Sequence, residues 1–303
     1  MSVQNFTALL LNLDCDTARL DHMRGQLQQA RIAFMRLPGV LGDAVPDDLR
    51  PYFFNPSGQP KTTMKRGEIG CYASHLRALM NIATGAYGDV VLVMEDDLAI
   101  APDMIDRINA LCSAAPAGWD IVRLSNAPRR AYAPVAAIGD GSFLVRYSKI
   151  PTSAGAYLIT PAGARKFLHK GVRGLTFDDD LRRPWFHQME TYGVVPPPIC
   201  AGVTHKSSID SVEAGRFSKG MSARMERIMR GDHLYLFKRM TYNIQTIGMV
   251  NWSKCCVING GEMLAKIFWG RSLIHDAAKT FPTRGVAGVS PSAQTQDSAA
   301  AIE

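Results

Sequence analysis

Along the first two hundred residues the apolar positions alternate between strand-like runs and helical spacing. Phe6 to Leu13 is a largely apolar run of strand length, and Thr17 opens a helix with Leu20, Met23, Leu27 and Ala30 on one face. Ile32 to Leu37 reads as a second strand stopped by Pro38-Gly39. Residues 38–66 hold five prolines and little periodicity, which predicts loop. Helical spacing returns after Gly67 at Tyr72, Leu76, Leu79, Met80 and Ala83, with Gly85 placed to end the helix. Val90 to Met94 is a short continuous apolar run, the pattern of a strand buried on both faces. Pro102 starts a helix bearing Ile105, Ile108 and Leu111, while Asp120–Leu124 and Ala156–Ile159 are further short strands. Thr160-Pro161 is a cap followed by proline at the first helical position, and Gly171 closes that unit. Such alternation predicts an α/β fold, with helices flanking a mostly parallel sheet.

Composition and charge refine this picture. Hydrophobic residues make up 47% of the 303 and charged residues 20%, enough for a sizeable core, which excludes a mainly disordered, collagen-like or small disulfide-stapled chain. No apolar run approaches the ~18–20 residues of a membrane span. The N-terminus has no basic residue before its apolar run, so it reads as a first strand rather than a signal peptide, and a cytosolic-facing chain is expected. Six cysteines (Cys15, Cys71, Cys112, Cys200, Cys255 and Cys256) lack CxxC spacing, so buried reduced thiols are expected. Residues 1–215 are nearly neutral, with 22 basic and 21 acidic side chains, whereas 216–284 carry 12 against 4. The division that follows is an α/β unit over 1–215, a basic helical extension over 216–284, and a disordered Gly/Ala/Ser/Gln-rich tail over 285–303.

Three clusters carry the candidate chemistry. Glu95-Asp96-Asp97 follow the apolar run at its C-terminal end, where open α/β sheets bind ligands. Three adjacent carboxylates repel one another, so a hard cation, Mg²⁺ or Mn²⁺, is the natural compensator, and such ions suit a pyrophosphate. A solvated turn with a helix cap is the competing reading. In Arg66 to His75, Gly67 and Gly70 bracket Glu68 at a helix start, where backbone could approach a ligand. Ser74 and His75 point apart on a helix and make a poor nucleophile–base pair; Cys71 and His75, at i and i+4, could share a metal, and a satisfied core histidine is the plainer alternative. Thr176 to Leu181 contains Asp178, Asp179 and Asp180, read either as an acidic helix start facing Arg182 and Arg183 or as a general base with a sugar-fixing acid. Walker A and GxGxxG motifs are absent.

Together these segments resemble family 25 glycosyltransferases, a family that includes bacterial lipooligosaccharide galactosyltransferases and collagen galactosyltransferases. The resemblance rests on LLNLDCDTARLDHM, GEIGCYASH, VVLVMEDD, SAGAYLITPAGARKFL and LTFDDDL in this order, across roughly residues 6–210. It implies a GT-A type glycosyltransferase fold, a nucleotide-sugar donor (most often UDP-galactose), a glycan or glycolipid acceptor and inverting transfer with Mn²⁺ or Mg²⁺. It assigns Asp97 to the metal, Asp96 to the metal or the donor sugar, and Asn12, Arg19, Gly67, Glu68, Gly70 and Glu95 to the donor pocket. Asp178 matches the family's acidic position best, but three acids stand where the family has one or two, which leaves the base open among Asp178, Asp179 and Asp180. Tyr72-Ala73 replaces a more usual Phe-Leu pair. His205 is the candidate third metal ligand by position, with an ordinary surface histidine as the alternative.

In the basic extension, Leu234, Leu236, Phe237, Met240, Ile244, Ile247 and Trp252 are interspersed with Lys238, Arg239 and Lys254. That pattern suits an interfacial helix on anionic lipid at the cytoplasmic face of the inner membrane, and equally suits packing on the catalytic unit. The leading functional expectation is a glycosyltransferase building lipopolysaccharide or another surface glycan. Its alternative is a catalytically silent nucleotide-sugar or glycan-binding module on the same fold. Nucleic acid is not expected as a partner, because no recognition motif accompanies the basic stretch.

Overall fold

In the computed structural model, residues 3–61, 64–125, 128, 130–139, 141–169, 171, 173–202 and 234–269 are described. The chain runs β1 (Thr7–Asn12), α1 (Thr17–Gln29), β2 (Phe34–Pro38), α2 (Arg50–Phe53), α3 (Arg66–Ala83), β3 (Val91–Glu95) and β4 (Leu98–Ile100). It continues through α4 (Met104–Ala114), β5 (Ile121–Arg123), β6 (Tyr132–Gly139), β7 (Ser142–Tyr147), β8 (Ala156–Ile159), α5 (Pro161–Leu168) and α6 (Phe177–Leu181). Then come α7 (Pro184–His187), β9 (Thr191–Val195), β10 (Ile199–Ala201), α8 (Tyr235–Ile247) and α9 (Met249–Trp269).

Eight strands form one sheet in the order β2-β1-β3-β8-β5-β9-β7-β6, and β4 pairs with β10 separately. The sheet is mixed and mostly parallel: β7 and β8 run against the other six strands. Alternation along each strand sorts the core into two layers. Leu9, Leu11, Val91, Val93, Tyr157 and Ile159 face α3, α5 and α6. Their neighbours Ala8, Leu10, Leu92, Met94 and Leu158 face α1 and α4 on the other side. The buried apolar runs read from the sequence are thus central strands covered by helices on both faces.

The β6–β7 hairpin, β4, β9 and β10 were not among the expected strands. β6 is built from Ala, Pro and Gly as much as from β-formers, which blurs its alternation. Residues 38–66 are mostly irregular but hold the short helix α2. Buried thiols also need correction, since Cys15, Cys200 and Cys256 are exposed and only Cys255 is fully buried.

Helices α8 and α9 dock on the sheet unit. Asn243 Nδ2 donates to Ser148 O at 2.9 Å, and the Ala131 amide donates to Asn259 Oδ1 at 2.8 Å. Trp185 meets Tyr235 edge to face at 5.3 Å. Tyr235, Asn243, Ile247 and Cys255 are buried, while Leu234, Leu236, Phe237, Met249, Val250 and Val257 stay exposed. Among the described residues no helix is long and apolar enough to cross a membrane. The expected tail over 285–303 lies outside the described residues, as do 203–233 and 270–284.

Candidate active site

Alternation places the acids of the central strand. Val91 and Val93 face α3, so Glu95, two residues on, points to the same side, and Asp96 follows past the strand end. Helix α3 presents Cys71 and His75, one turn apart, to that carboxylate. His75 Nε2 lies 3.0 Å from Glu95 Oε1, and Cys71 Sγ lies 3.8 Å from the same oxygen. His75 Nδ1 is 3.0 Å from the Tyr157 hydroxyl on β8. Its ring stacks on Phe177 at 4.0 Å, so α6 is seated directly on the histidine. Burial pushes Glu95 upward, but the His75 hydrogen bond and charge, with Cys71 and Arg19, hold it below the usual carboxylate value. Cys71 is raised well above an ordinary thiol, by burial first and then by the Glu95 and Asp178 charges.

Asp96 and Asp97 turn to the opposite side, towards β1 and α1. Asn12 Nδ2 donates to Asp96 Oδ2 at 2.7 Å, its amide oriented by Arg36 Nε donating to Asn12 Oδ1 at 2.9 Å. Arg19 reaches from the first turn of α1 to Asp96 Oδ1 at 3.0 Å and to Asp97 Oδ2 at 2.7 Å. Beside the divalent cation expected for these acids, the fold thus brings a resident guanidinium to Asp96 and Asp97. Spacing along the chain did not reveal this, because Arg19 is more than seventy residues away and reaches the acids only through the β1–β3 pairing. Burial raises both Asp96 and Asp97, with the Glu95 charge adding to Asp97 and Arg19 working against the rise in each.

The second acidic cluster is divided by its short helix. Thr176 caps α6 by accepting from the Asp179 amide, and successive residues then point about 100° apart. Asp178 Oδ2 accepts from the Ser153 amide at 3.0 Å and stands within electrostatic reach of Glu95, His75 and Arg123. Burial raises it, Arg123 pulls it down and Glu95 pushes it up. Asp179 points outward to Arg182 at 2.9 Å. Asp180 is turned into the core at 5% exposure, where the Tyr72 hydroxyl donates to it at 2.6 Å and Arg173 stands 4.0 Å away. Of the three, Asp178 is the one whose charge is coupled to Glu95.

Other expected site residues have structural work. Glu68 Oε2 accepts from the Lys65 amide at 2.8 Å and so caps α3. Gly70 packs on the 40–42 loop so closely that a Cβ there would stand 2.5 Å from Val40 O. Gly67 sits in the first turn of α3. Ser74 Oγ accepts from the Val40 amide and donates to Gly70 O, pointing away from His75 as expected. His205 lies outside the described residues, three positions after Gly202, whose amide donates to Asp97 O at 2.7 Å. Tyr157 and Ser153, which lie in the SAGAYLITPAGARKFL segment without having been singled out, join the site, and so does Arg123, which no motif announced. Buried Arg123 donates through Nη2 to Ser153 O, and its only sequence signal is a cation in an apolar strand.

Several solved structures are similar in outline. A glycosyltransferase involved in glycosylation of the major capsid of PBCV-1 aligns with 10% identity and a TM-score of 0.38, covering 68% of this chain and 97% of that one. The apo form of GlyE from Streptococcus pneumoniae TIGR4 aligns with 10% identity and a TM-score of 0.35, over 80% of this chain and 64% of that one. Apo mouse xyloside xylosyltransferase 1 gives 11% identity and a TM-score of 0.32, over 61% and 83%. No match is found among curated proteins. Residues 6–179, more than half of the chain, match the family described as glycosyltransferase family 25 (LPS biosynthesis protein). That span holds β1, α3, β3 and Asp178, which carry the candidate site residues, and by it the chain belongs to glycosyltransferase family 25.

Proposed function

We propose that the protein is an inverting hexosyltransferase, moving galactose or a related hexose from a UDP-sugar to a hydroxyl of lipopolysaccharide, lipooligosaccharide or another surface glycan. The observation that carries this reading is the approach of one acid from each cluster, Glu95 and Asp178, which stand about eighty residues apart in sequence and feel each other's charge. Phe177 stacks on the histidine that holds Glu95, and Asp178 follows it.

Inverting transfer needs a base for the acceptor hydroxyl and a positive counterpart for the departing diphosphate. Asp178 suits the first role, because burial lifts its pKa and a less acidic carboxylate takes a proton more readily. Arg19 is the resident cation beside Asp96 and Asp97, and its charge would answer that of a diphosphate on the β1 side. Asn12 and Asp96 hold that guanidinium in position.

Mn²⁺ or Mg²⁺ fits Asp97, whose side chain is 36% exposed and has lone pairs beyond those Arg19 engages. Asp96 fits less well, since both its oxygens are already bonded. His205 follows by three positions Gly202, whose amide donates to Asp97 O, which supports it as a candidate further ligand. Such an ion, when bound, would supply charge stabilisation for the leaving diphosphate.

A lipid-linked acceptor would lie at a membrane surface. The exposed Leu236, Phe237 and Val250 beside Lys238, Arg239 and Lys254 support contact with anionic lipid there.

Calorimetric titration with UDP-galactose and UDP-glucose, with and without Mn²⁺, tests the donor site in wild type and Asp97→Ala. Metal-dependent binding that disappears in the variant is expected. Binding indifferent to both metal and Asp97 would overturn the assignment, and donor binding without transfer to any acceptor would favour the silent module.

A further inference from the structure

Cys71, His75 and Glu95 are left over once Asp178, Asp97 and Arg19 have their parts in transfer. Their ligand atoms Sγ, Nε2 and Oε1 all lie within 4.8 Å of one another. A tetrahedral ion with bonds of about 2.0–2.3 Å needs ligand atoms roughly 3.3–3.8 Å apart, so movements of less than about 1 Å would close the set. Rigid elements hold it: Cys71 and His75 are one turn apart on an 18-residue helix, and Glu95 ends a buried strand.

The surroundings of the histidine are those of a metal ligand. Its second nitrogen is engaged by the Tyr157 hydroxyl at 3.0 Å, and its ring is clamped against Phe177. Ligating histidines commonly have their other nitrogen fixed in this way. Sulfur and imidazole in the donor set favour zinc-class ions over Mg²⁺ or Mn²⁺. His75 is wholly buried while the Glu95 side chain is 30% exposed, which leaves the cleft side for a fourth ligand.

We propose that Cys71, His75 and Glu95 form a three-ligand site for a borderline-soft divalent ion such as Zn²⁺, with water in the fourth position on the cleft side. The site is separate from the Asp97 carboxylate offered to a hard cation, and it does not rest on the sugar-transfer reading. As the metal–sulfur bond forms, the Cys71 thiol releases its proton to solvent. With the single His75 proton on Nδ1, where the Tyr157 oxygen accepts it, the Nε2 lone pair faces the ion. An occupied site would pin α3 to the end of β3.

Co²⁺ is the probe, used on the chelator-treated full chain. A one-to-one thiolate-to-cobalt charge-transfer band is expected, abolished by Zn²⁺ and kept in equimolar Mn²⁺. Cys71→Ser is expected to lose the band, whereas Cys15→Ser and Cys256→Ser keep it. A second measurement needs no variant: at about 100 times its Kd, Zn²⁺ is expected to slow alkylation of Cys71 roughly 100-fold and raise Tm by roughly 5 °C. Absence of a thiolate band, a band surviving in Cys71→Ser, or Cys71 alkylation unchanged by Zn²⁺ would each overturn the site.

Discussion

Asp178 and Asp180 sit two residues apart on one short helix and differ in what surrounds their oxygens. Asp178 stands on the Glu95 side with a single backbone donor, while Asp180 is held by Tyr72 in the core. Asp178→Asn is therefore expected to lower kcat by about 10²–10⁴-fold, read with a UDP-sugar and a glycan acceptor. Its effect on folding has a defined sign. The folded pKa of Asp178 is raised above 3.8, so charging it disfavours the folded state. That penalty is absent below 3.8 and complete once the pH exceeds the folded value. Asp178→Asn should thus unfold at higher urea than wild type at pH 7, and the two midpoints should converge as the pH falls toward 3.8. Tyr72→Phe should do the reverse: removing the hydroxyl that donates to Asp180 should destabilise the fold by about 1.5–3 kcal/mol in urea titrations, while leaving the cleft acids in place.

Glycines in two helices separate what an element needs from what it merely tolerates. Gly70 of α3 has Val40 O and the Gly42 amide nitrogen where a Cβ would go, and both are backbone atoms that cannot swing aside. Gly70→Ala must shift α3, and with it Cys71 and His75, at a cost of about 1–3 kcal/mol. Gly25, exposed in α1, has open space at the same position. Gly25→Ala should stabilise the protein by up to about 1 kcal/mol through helix propensity alone. Chemical denaturation of the pair measures both, and equal effects would refute the packing account.

At the scale of the whole molecule, the basic C-terminal helices divide their apolar side chains between the protein and solvent. Asn243 and Asn259 bond to backbone at Ser148 and Ala131, and Tyr235 packs on Trp185, so α8 and α9 complete the sheet unit. A chain ending at residue 233 should lose several degrees of Tm, because those polar groups and the Trp185 face become exposed. The outward residues predict a separate result. Full-length protein should co-sediment with anionic vesicles, and Lys238→Glu with Lys254→Glu should reduce recovery at low salt while leaving Tm within a degree or two. Equal recovery on neutral vesicles would remove lipid charge from the account.

How much of this was legible in the chain depended on how local the signal was. Strands β1, β3 and β8 announced themselves as apolar runs because both their faces are covered; α1, α3 and α5 showed their spacing, and α5 its Thr160 cap, whereas Thr17 lies inside α1 behind Asp16 and Lys65 caps α3. The hairpin of β6 and β7 did not, since Ala, Pro and Gly dilute its alternation. The acid clusters were visible as residue types, and their order along the chain carried the family resemblance. Which acids meet was a different matter. Arg19 joins Asp96 and Asp97 only because β1 lies beside β3; Asp178 joins the Glu95 side only because Phe177 stacks on His75; and Asp180 is withdrawn into the core by Tyr72. The sequence by itself determined the layers, the helix faces and the acidic chemistry, because these depend on neighbours within a few residues. Tertiary structure alone decided which carboxylates come together and which cations face them, because those pairings join residues from twenty to more than a hundred positions apart, which no local period encodes.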